Sequence, residues 1–220
     1  MRALVIGASG GIGGAVAHAL TGKGYDVTAL SRSHDGLDVT DPDSIAEVLG
    51  RLNGTFDLVL IAVGILAPPL GHPEKSLSAI SASAMSTVFA VNSIGPALIL
   101  QQLPRLLPKD RRAVVATLSA RVGSIGDNRI GGWYSYRASK AALNQIVRGA
   151  AIELGRSHKQ LICVALHPGT VATAFTENYA GRHKTVPPHQ AAQNLVDVMH
   201  RLTPAQSGGF FDYAGEEIVW

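Results

Sequence analysis

The sequence predicts a single doubly wound α/β domain, with a mainly parallel seven-stranded sheet flanked by helices. Three observations predict it. A short apolar run, residues 2–6, ends in Gly7-Ala-Ser-Gly-Gly-Ile-Gly13 and passes into helical periodicity that lasts to Gly22. Further short apolar runs then alternate with helical stretches along the chain. Finally, Gly7, Gly64, Ser119 and Gly169 all fall at or just past the ends of such runs, where doubly wound sheets bind their ligands.

Composition agrees. The chain has 220 residues, 46% hydrophobic and 16% charged, enough to bury a real core and too apolar for disorder. The net charge of +3 is modest, and the Lys109, Arg111, Arg112 cluster has no aromatic platform beside it. It reads as a solvated loop, and no nucleic acid is expected as a partner. Cys163 is the one cysteine and sits in an apolar strand run, so no disulfide forms within the chain. The start of the chain does not read as a signal peptide. The apolar stretch 58–70 is broken by Gly64 and Pro68-Pro69, short of the roughly 20 residues a spanning helix needs. A cytoplasmic protein without a membrane partner is expected.

Taken in order, the first strand, glycine turn and helix form a phosphate cradle. Glycines permit the tight turn and close backbone approach, and the helix start offers open N–H groups. The spacing is Gly7-x-x-x-Gly11-x-Gly13. The second strand, 26–31, ends in Ser31 followed by Arg32, where a carboxylate for the ribose hydroxyls would otherwise stand. An arginine there can pair with a 2′-phosphate, which predicts NADP(H) in preference to NAD(H). Residues 36–39 read as a short third strand after an abbreviated crossover, and Asp41-Pro-Asp-Ser44 caps a helix to Leu52. Residues 56–63 read as a buried strand. A long helical segment, 82–107, carries Asn92-Ser-Ile-Gly-Pro96 at its centre. Pro96 has no N–H, so the Asn92 carbonyl four residues back is left free to hold an ordered water. Strand 113–118 leads to Ser119, and strand 161–166 to His167-Pro-Gly-Thr-Val-Ala-Thr173. The polar loop 174–188, with Phe175, Tyr179 and His183, is a candidate substrate lid. Helix 189–201 and strand 209–213 complete the fold.

The chemistry centres on Trp133-Tyr-Ser-Tyr136-Arg-Ala-Ser-Lys140, which opens a helix. Residues four apart share a helix face, so the Lys140 ammonium can approach the Tyr136 phenol. A nearby cation favours phenolate and tunes tyrosine for proton transfer. Tyr134 has Ala138 in the corresponding place and lacks that partner. Trp133 could wall a pocket or cap the helix start. None of the eight histidines pairs at ligand spacing, so no metal is expected. His167 could line the crevice or pack as a loop residue.

Gly7-x-x-x-Gly11-x-Gly13, Asn92, Ser119, Tyr136-x-x-x-Lys140 and Pro168-Gly169, in that order, resemble the short-chain dehydrogenase/reductases over essentially the whole chain. The Ser119-Ala-Arg-Val-Gly-Ser-Ile125 stretch and the short second crossover look closest to the small sniffer-like and C-factor-like carbonyl reductases. The resemblance implies a Rossmann-type domain in which Tyr136 protonates a carbonyl, Lys140 tunes it and holds the nicotinamide ribose, Ser119 orients the carbonyl, and the Asn92 carbonyl holds a relay water. It implies that Gly7, Ser9, Gly10 and Ile12 line the diphosphate and that Asp38 and Val39 contact adenine. Pro168, Gly169, Val171 and Thr173 would seat the nicotinamide amide. It also implies a homodimer or homotetramer, joined through the helices around Asn92 and Tyr136.

Two departures from the family pattern stand out. Ile61-Ala-Val-Gly64 replaces the usual Asn-Asn-Ala-Gly, so Ala62, Val63 and Gly64 can support a cofactor only through backbone. The family's serine stands three residues before a glycine, and counting back from Gly123 gives Ala120, one place after Ser119. Adjacent strand residues face opposite ways, so Ser119 serves only if the strand end bends; Ser124 is the substitute. The expected activity is NADP(H)-dependent reduction of an aldehyde or ketone, a small-molecule substrate. The competing readings are a nucleotide-holding regulator with little turnover, and a lyase or epimerase on the same fold.

Overall fold

In the computed structural model, residues 1–176 and 185–220 are described. Apolar runs form the strands β1 (Arg2–Ile6), β2 (Asp26–Leu30), β3 (Leu58–Ile61), β4 (Ala113–Leu118), β5 (Leu161–His167) and β6 (Phe210–Asp212). They make one sheet in the order β2-β1-β3-β4-β5-β6, every neighbouring pair parallel. Strands covered on both faces read as unbroken apolar runs, whereas β2, at the edge, is mostly exposed or half-buried.

Alternation along each strand assigns the two faces. Leu4, Ile6, Val59, Ile61, Ala113, Val115 and Cys163 pack against α3 (Pro42–Gly50), α5 (Gly95–Gln102) and α6 (Tyr134–Leu154). Ala3, Val5, Leu58, Leu60, Val114, Ala116 and Val164 pack against α1 (Gly11–Gly22) and α7 (Pro188–Arg201). The chain winds outward from β1 to β2, then crosses back to β3 on the other side of β1. That reversal opens the crevice between the ends of β1 and β3.

One expected strand is absent, so the described residues hold six strands and not seven. After β2 the chain makes one helical turn, α2 (Arg32–Asp35), and residues 37–39 run without a strand partner. Leu37 is buried in the core. The Asp38 N–H is taken by the Ser44 hydroxyl at 3.0 Å, so the segment turns into α3 instead of extending the sheet.

The long helical segment divides into α4 (Ala82–Phe89), a π-helical stretch (Ala90–Ile94), α5 and a 3-10 turn (Leu103–Leu106). The π-helical stretch stands just before Pro96, where the proline disrupts regular helical bonding. By length and composition Ala82–Leu106 could cross a membrane. Within it Val88, Ile99, Leu100, Leu103 and Leu106 are buried against the rest of the fold.

Candidate active site

At the end of β1 the chain reverses at Gly7, whose φ of +89° suits glycine, and Gly7 N–H donates to Leu30 O at 2.9 Å. A Cβ on Gly13 would stand 2.2 Å from Gly7 O, so helix α1 reaches the turn only because residue 13 is glycine. α1 has no side-chain cap at Gly10 and no acidic residue in its first turn, which leaves donors and partial positive charge facing outward. Ser9, Gly10 and Gly11 are exposed there, while Ile12 packs on the core. A Cβ on Gly7 would meet Ala62 O, and one on Gly11 would meet the Thr173 methyl. The turn, the end of β3 and the loop after β5 therefore meet around one cradle, which fits a diphosphate. Gly169 takes a φ of +79°, and Val171 is held by a bridge to Val186.

At the end of β2, Ser31 caps α2, accepting from His34 N–H at 3.2 Å. Its own N–H donates to Asp35 Oδ2 at 2.7 Å, so the carboxylate missing from the strand end is supplied four residues later. Arg32 is exposed beside it. Asp38 accepts from Thr40 Oγ1 and N–H at 2.7 and 2.9 Å, and the Thr40 side chain holds its carboxyl below the ordinary value. Val39 packs on the core, its carbonyl against Gly95 of α5.

Tyr136 and Lys140 lie on one face of α6, with Lys140 Nζ 5.9 Å from the Tyr136 ring centre. Both are buried, at 7% and 3% exposure. Lys140 Nζ donates to Leu118 O at 2.9 Å, which ties the helix to the end of β4. Burial pushes Lys140 down to about 7 and the Tyr136 phenol above its ordinary value. The expected lowering of the phenol is thus reversed: desolvation disfavours phenolate here, and the phenol stays protonated. A Cβ on Gly64 would stand 3.3 Å from Asn92 Oδ1 and 3.4 Å from Lys140 Nζ, so Gly64, Asn92 and Lys140 form one group. The Asn92 side chain does not face solvent. Its Oδ1 accepts from Ile65 N–H at 2.8 Å, and its Nδ2 donates to Ile65 O at 2.9 Å and Ser139 Oγ at 3.0 Å.

Beside this group lies a cavity of about 210 Å³ lined by Ile65, Leu66, Ala67, Gly71, His72, Pro73 and Phe175. The Phe175 and Trp133 rings stand 6.1 and 6.2 Å from that of Tyr136. Trp133 packs edge-on against Tyr136 and stands at the N-cap position of α6 without making a side-chain cap bond, and it is not among the residues that line the cavity. A larger hollow, about 440 Å³, opens among Asp35, Asp38, Asp41 and Asp43 at the sheet edge, away from Tyr136. Of the expected lid, Phe175 borders the cavity, and Tyr179 and His183 lie outside the described residues.

A family model described as Enoyl-(Acyl carrier protein) reductase matches residues 7–203. The chain is a short-chain dehydrogenase/reductase. It is 31% identical over 233 residues to the 1-hydroxy-2-glutathionyl-2-methyl-3-butene dehydrogenase of Rhodococcus sp. (strain AD45), covering 99% of this chain and 98% of that one. Among solved structures, a Burkholderia multivorans short-chain dehydrogenase/reductase with bound NADP is similar over 100% of this chain and 99% of its own, at 26% identity and a TM-score of 0.79. The carbonyl reductase Sniffer of D. melanogaster shares the fold over 100% of this chain and 99% of its own, at 21% identity and a TM-score of 0.82.

Within this short-chain dehydrogenase/reductase, the role expected of Ser119 needs correction. The strand does not bend: Ala120 is still extended, at φ −145° and ψ 142°, and Ser119 N–H still donates to Leu166 O at 2.8 Å. Ser119 therefore keeps the side of Ala113 and Val115, facing α6, and its hydroxyl donates to Asn144 Oδ1 at 2.6 Å. It braces β4 to the helix. Ser124 Oγ accepts from Asp127 N–H at 3.0 Å and is buried. His167 pairs with Asp212 in the strand register, and burial first, then Arg121, drives it down to about 4 against the pull of Asp212. It is neutral at physiological pH. Sequence reasoning missed Asn144, although its place eight residues after Tyr136 on one helix face was a usable signal. It also missed Glu74, which had none, because its partners are about sixty residues away.

Proposed function

We propose that the protein reduces an aldehyde or ketone to an alcohol with NADPH, Tyr136 acting as the general acid. One observation carries the reading: a buried Tyr136–Lys140 pair stands at the sheet's carboxyl edge between the glycine cradle and a largely apolar cavity. NADPH, when bound, supplies the hydride. Gly7, Ser9, Gly10 and Ile12 would hold its diphosphate, Arg32 its 2′-phosphate, and Asp38 and Val39 its adenine. Ala62, Val63 and Gly64 would support it through backbone, and Pro168, Gly169, Val171 and Thr173 would hold its nicotinamide amide. The Tyr136 hydroxyl passes its proton to the carbonyl oxygen as that oxygen gains charge. Lys140 stabilises the tyrosinate left behind, and the Asn92 carbonyl holds the water that returns a proton. The NADP bound by the Burkholderia relative supports the choice of cofactor. A cytoplasmic homodimer or homotetramer completes the reading, supported by Ile94 and Ile152, which lie exposed on the long helices at 54% and 55%.

The test is NADPH consumption against a panel of aldehydes, ketones and quinones. Turnover of a carbonyl with NADPH is expected; tight NADPH binding with no turnover on any of them would favour the nucleotide-holding regulator. In the same assay Arg32→Ala is expected to lower the preference for NADPH over NADH by about tenfold or more, the worth of one charge-assisted phosphate contact. An unchanged preference would remove Arg32 from the 2′-phosphate.

The Lys140 value also sets a pH dependence. Lys140 is charged below about 7 and neutral above it. Because kcat/KM reports the free enzyme, kcat/KM for reduction is expected to fall as pH rises through about 7, with the slope of one proton. A flat profile from pH 6 to about 9 would show that the charge on Lys140 is not needed.

A further inference from the structure

The helix that carries Tyr136 begins without a cap of its own. Its N-cap residue, Trp133, sits at φ 53° and ψ 42°, its side chain caps nothing, and the first turn has no acidic residue. That backbone region is uncommon for a bulky residue and persists only where its surroundings hold it. The holding groups come from Glu74, in the loop between β3 and α4. Trp133 N–H donates to the Glu74 carbonyl at 2.5 Å. Ser135 N–H donates to Glu74 Oε2 at 3.2 Å, and the Ser135 hydroxyl donates to Glu74 Oε1. Glu74 is only 7% exposed. Burial pushes its carboxyl up, but the bonds from the Ser135 hydroxyl, its own backbone N–H and the Ser135 N–H together hold it below its ordinary value. A buried carboxylate thus meets the open donors and positive end of α6 in the turn that contains Tyr136.

The same loop is anchored at its other end, where Asn92 holds both the N–H and the carbonyl of Ile65. Between those anchors lie Leu66, Ala67, Gly71, His72 and Pro73, which wall the cavity. The wall of the cavity and the helix that aims the acid are therefore joined at one side chain. We propose that Glu74 is a positioning residue for Tyr136: by capping α6 from a distant loop, it fixes the phenol relative to the cavity that its own loop builds. The catalytic part of this proposal rests on the reductase reading.

The test compares Glu74→Ala, Glu74→Gln and Ser135→Ala with wild type in three measurements: NADPH affinity, kcat and KM for the best carbonyl, and amide exchange at Trp133 and Ser135. Misplacing a reacting group by about 1 Å can cost on the order of 10²-fold, so Glu74→Ala is expected to lower kcat by about 10- to 100-fold. NADPH affinity should stay within about twofold, and exchange at Ser135 should speed up about tenfold as its acceptor is lost. Glu74→Gln keeps an acceptor oxygen and should recover kcat to within about fivefold of wild type. A merely structural Glu74 would give a different pattern, with kcat and NADPH affinity falling together and glutamine no better than alanine; that overturns the proposal. Wild-type kcat in Glu74→Ala overturns it too. If Glu74→Ala does not fold, Ser135→Ala decides, because alanine suits the helix: a fall in kcat with NADPH affinity kept supports the proposal, and unchanged kcat ends it. If wild type reduces no carbonyl, the reductase reading fails and the catalytic role fails with it, while faster exchange at Ser135 in Glu74→Ala would still establish the cap.

Discussion

Tyr136→Phe is expected to lower NADPH-dependent carbonyl turnover by about 10²- to 10⁴-fold, the usual worth of a positioned general acid. The substitution removes one hydroxyl and little else. The ring keeps its contacts with Trp133 and Phe175 and its place on α6, so the fold and NADPH affinity should be preserved. Tyr136 is buried, and burial holds its phenol protonated, so the group lost is the one the proposed mechanism uses as its proton donor. Nearby hydroxyls are poorly placed to replace it. Ser119 donates to Asn144, and Ser139 donates to the Tyr136 carbonyl. The decisive measurement is kcat for wild type and variant on the same carbonyl, with NADPH affinity as the control. Equal turnover would place the acid elsewhere. Loss of NADPH binding would mean that the phenol serves the cradle more than the chemistry.

Gly13→Ala is expected to disable the protein by a different route. Its Cβ would stand 2.2 Å from Gly7 O and 2.8 Å from Gly7 C, both backbone atoms that cannot swing aside. Relief requires α1 to move off the turn, or the turn off β1, and either movement dismantles the phosphate cradle. The fold should lose about 3 kcal/mol, the upper end of ordinary overpacking, and NADPH affinity should fall by at least tenfold. Gly22→Ala is the control on the same helix, since nothing lies within 4 Å of its Cβ and stability should hold or improve. Thermal unfolding and NADPH titration of the two variants check the contrast. Equal behaviour would show that the close approach of α1 to Gly7 contributes nothing.

The fold was legible in the sequence because parallel strands buried on both faces leave apolar runs, and among the described strands β1, β3, β4 and β5 have that mark. The strand expected at residues 36–39 failed for a nameable reason. Leu37 is apolar because it packs in the core, and one buried residue does not make a strand when Ser44 takes the Asp38 N–H. In the candidate site, the glycine turn, Tyr136–Lys140, Asn92 and the Pro168-Gly169 turn are local patterns whose spacing carries their geometry, and the structure gathers them at one edge of the sheet.

What the sequence by itself determined is therefore what repeats or spaces locally: strand runs, the glycine turn, and two side chains on one face of a helix. Tertiary structure alone decided which way Ser119 points, because strand alternation becomes a direction only once α6 and Asn144 lie against one face. It also decided that Tyr136 is protonated and Lys140 only weakly basic, because burial is a sum over neighbours from several elements. And it brought Glu74 to the start of α6. A cap can be read in sequence when it precedes its helix by a residue or two. When it comes from a loop about sixty residues away, only the packed chain reveals it.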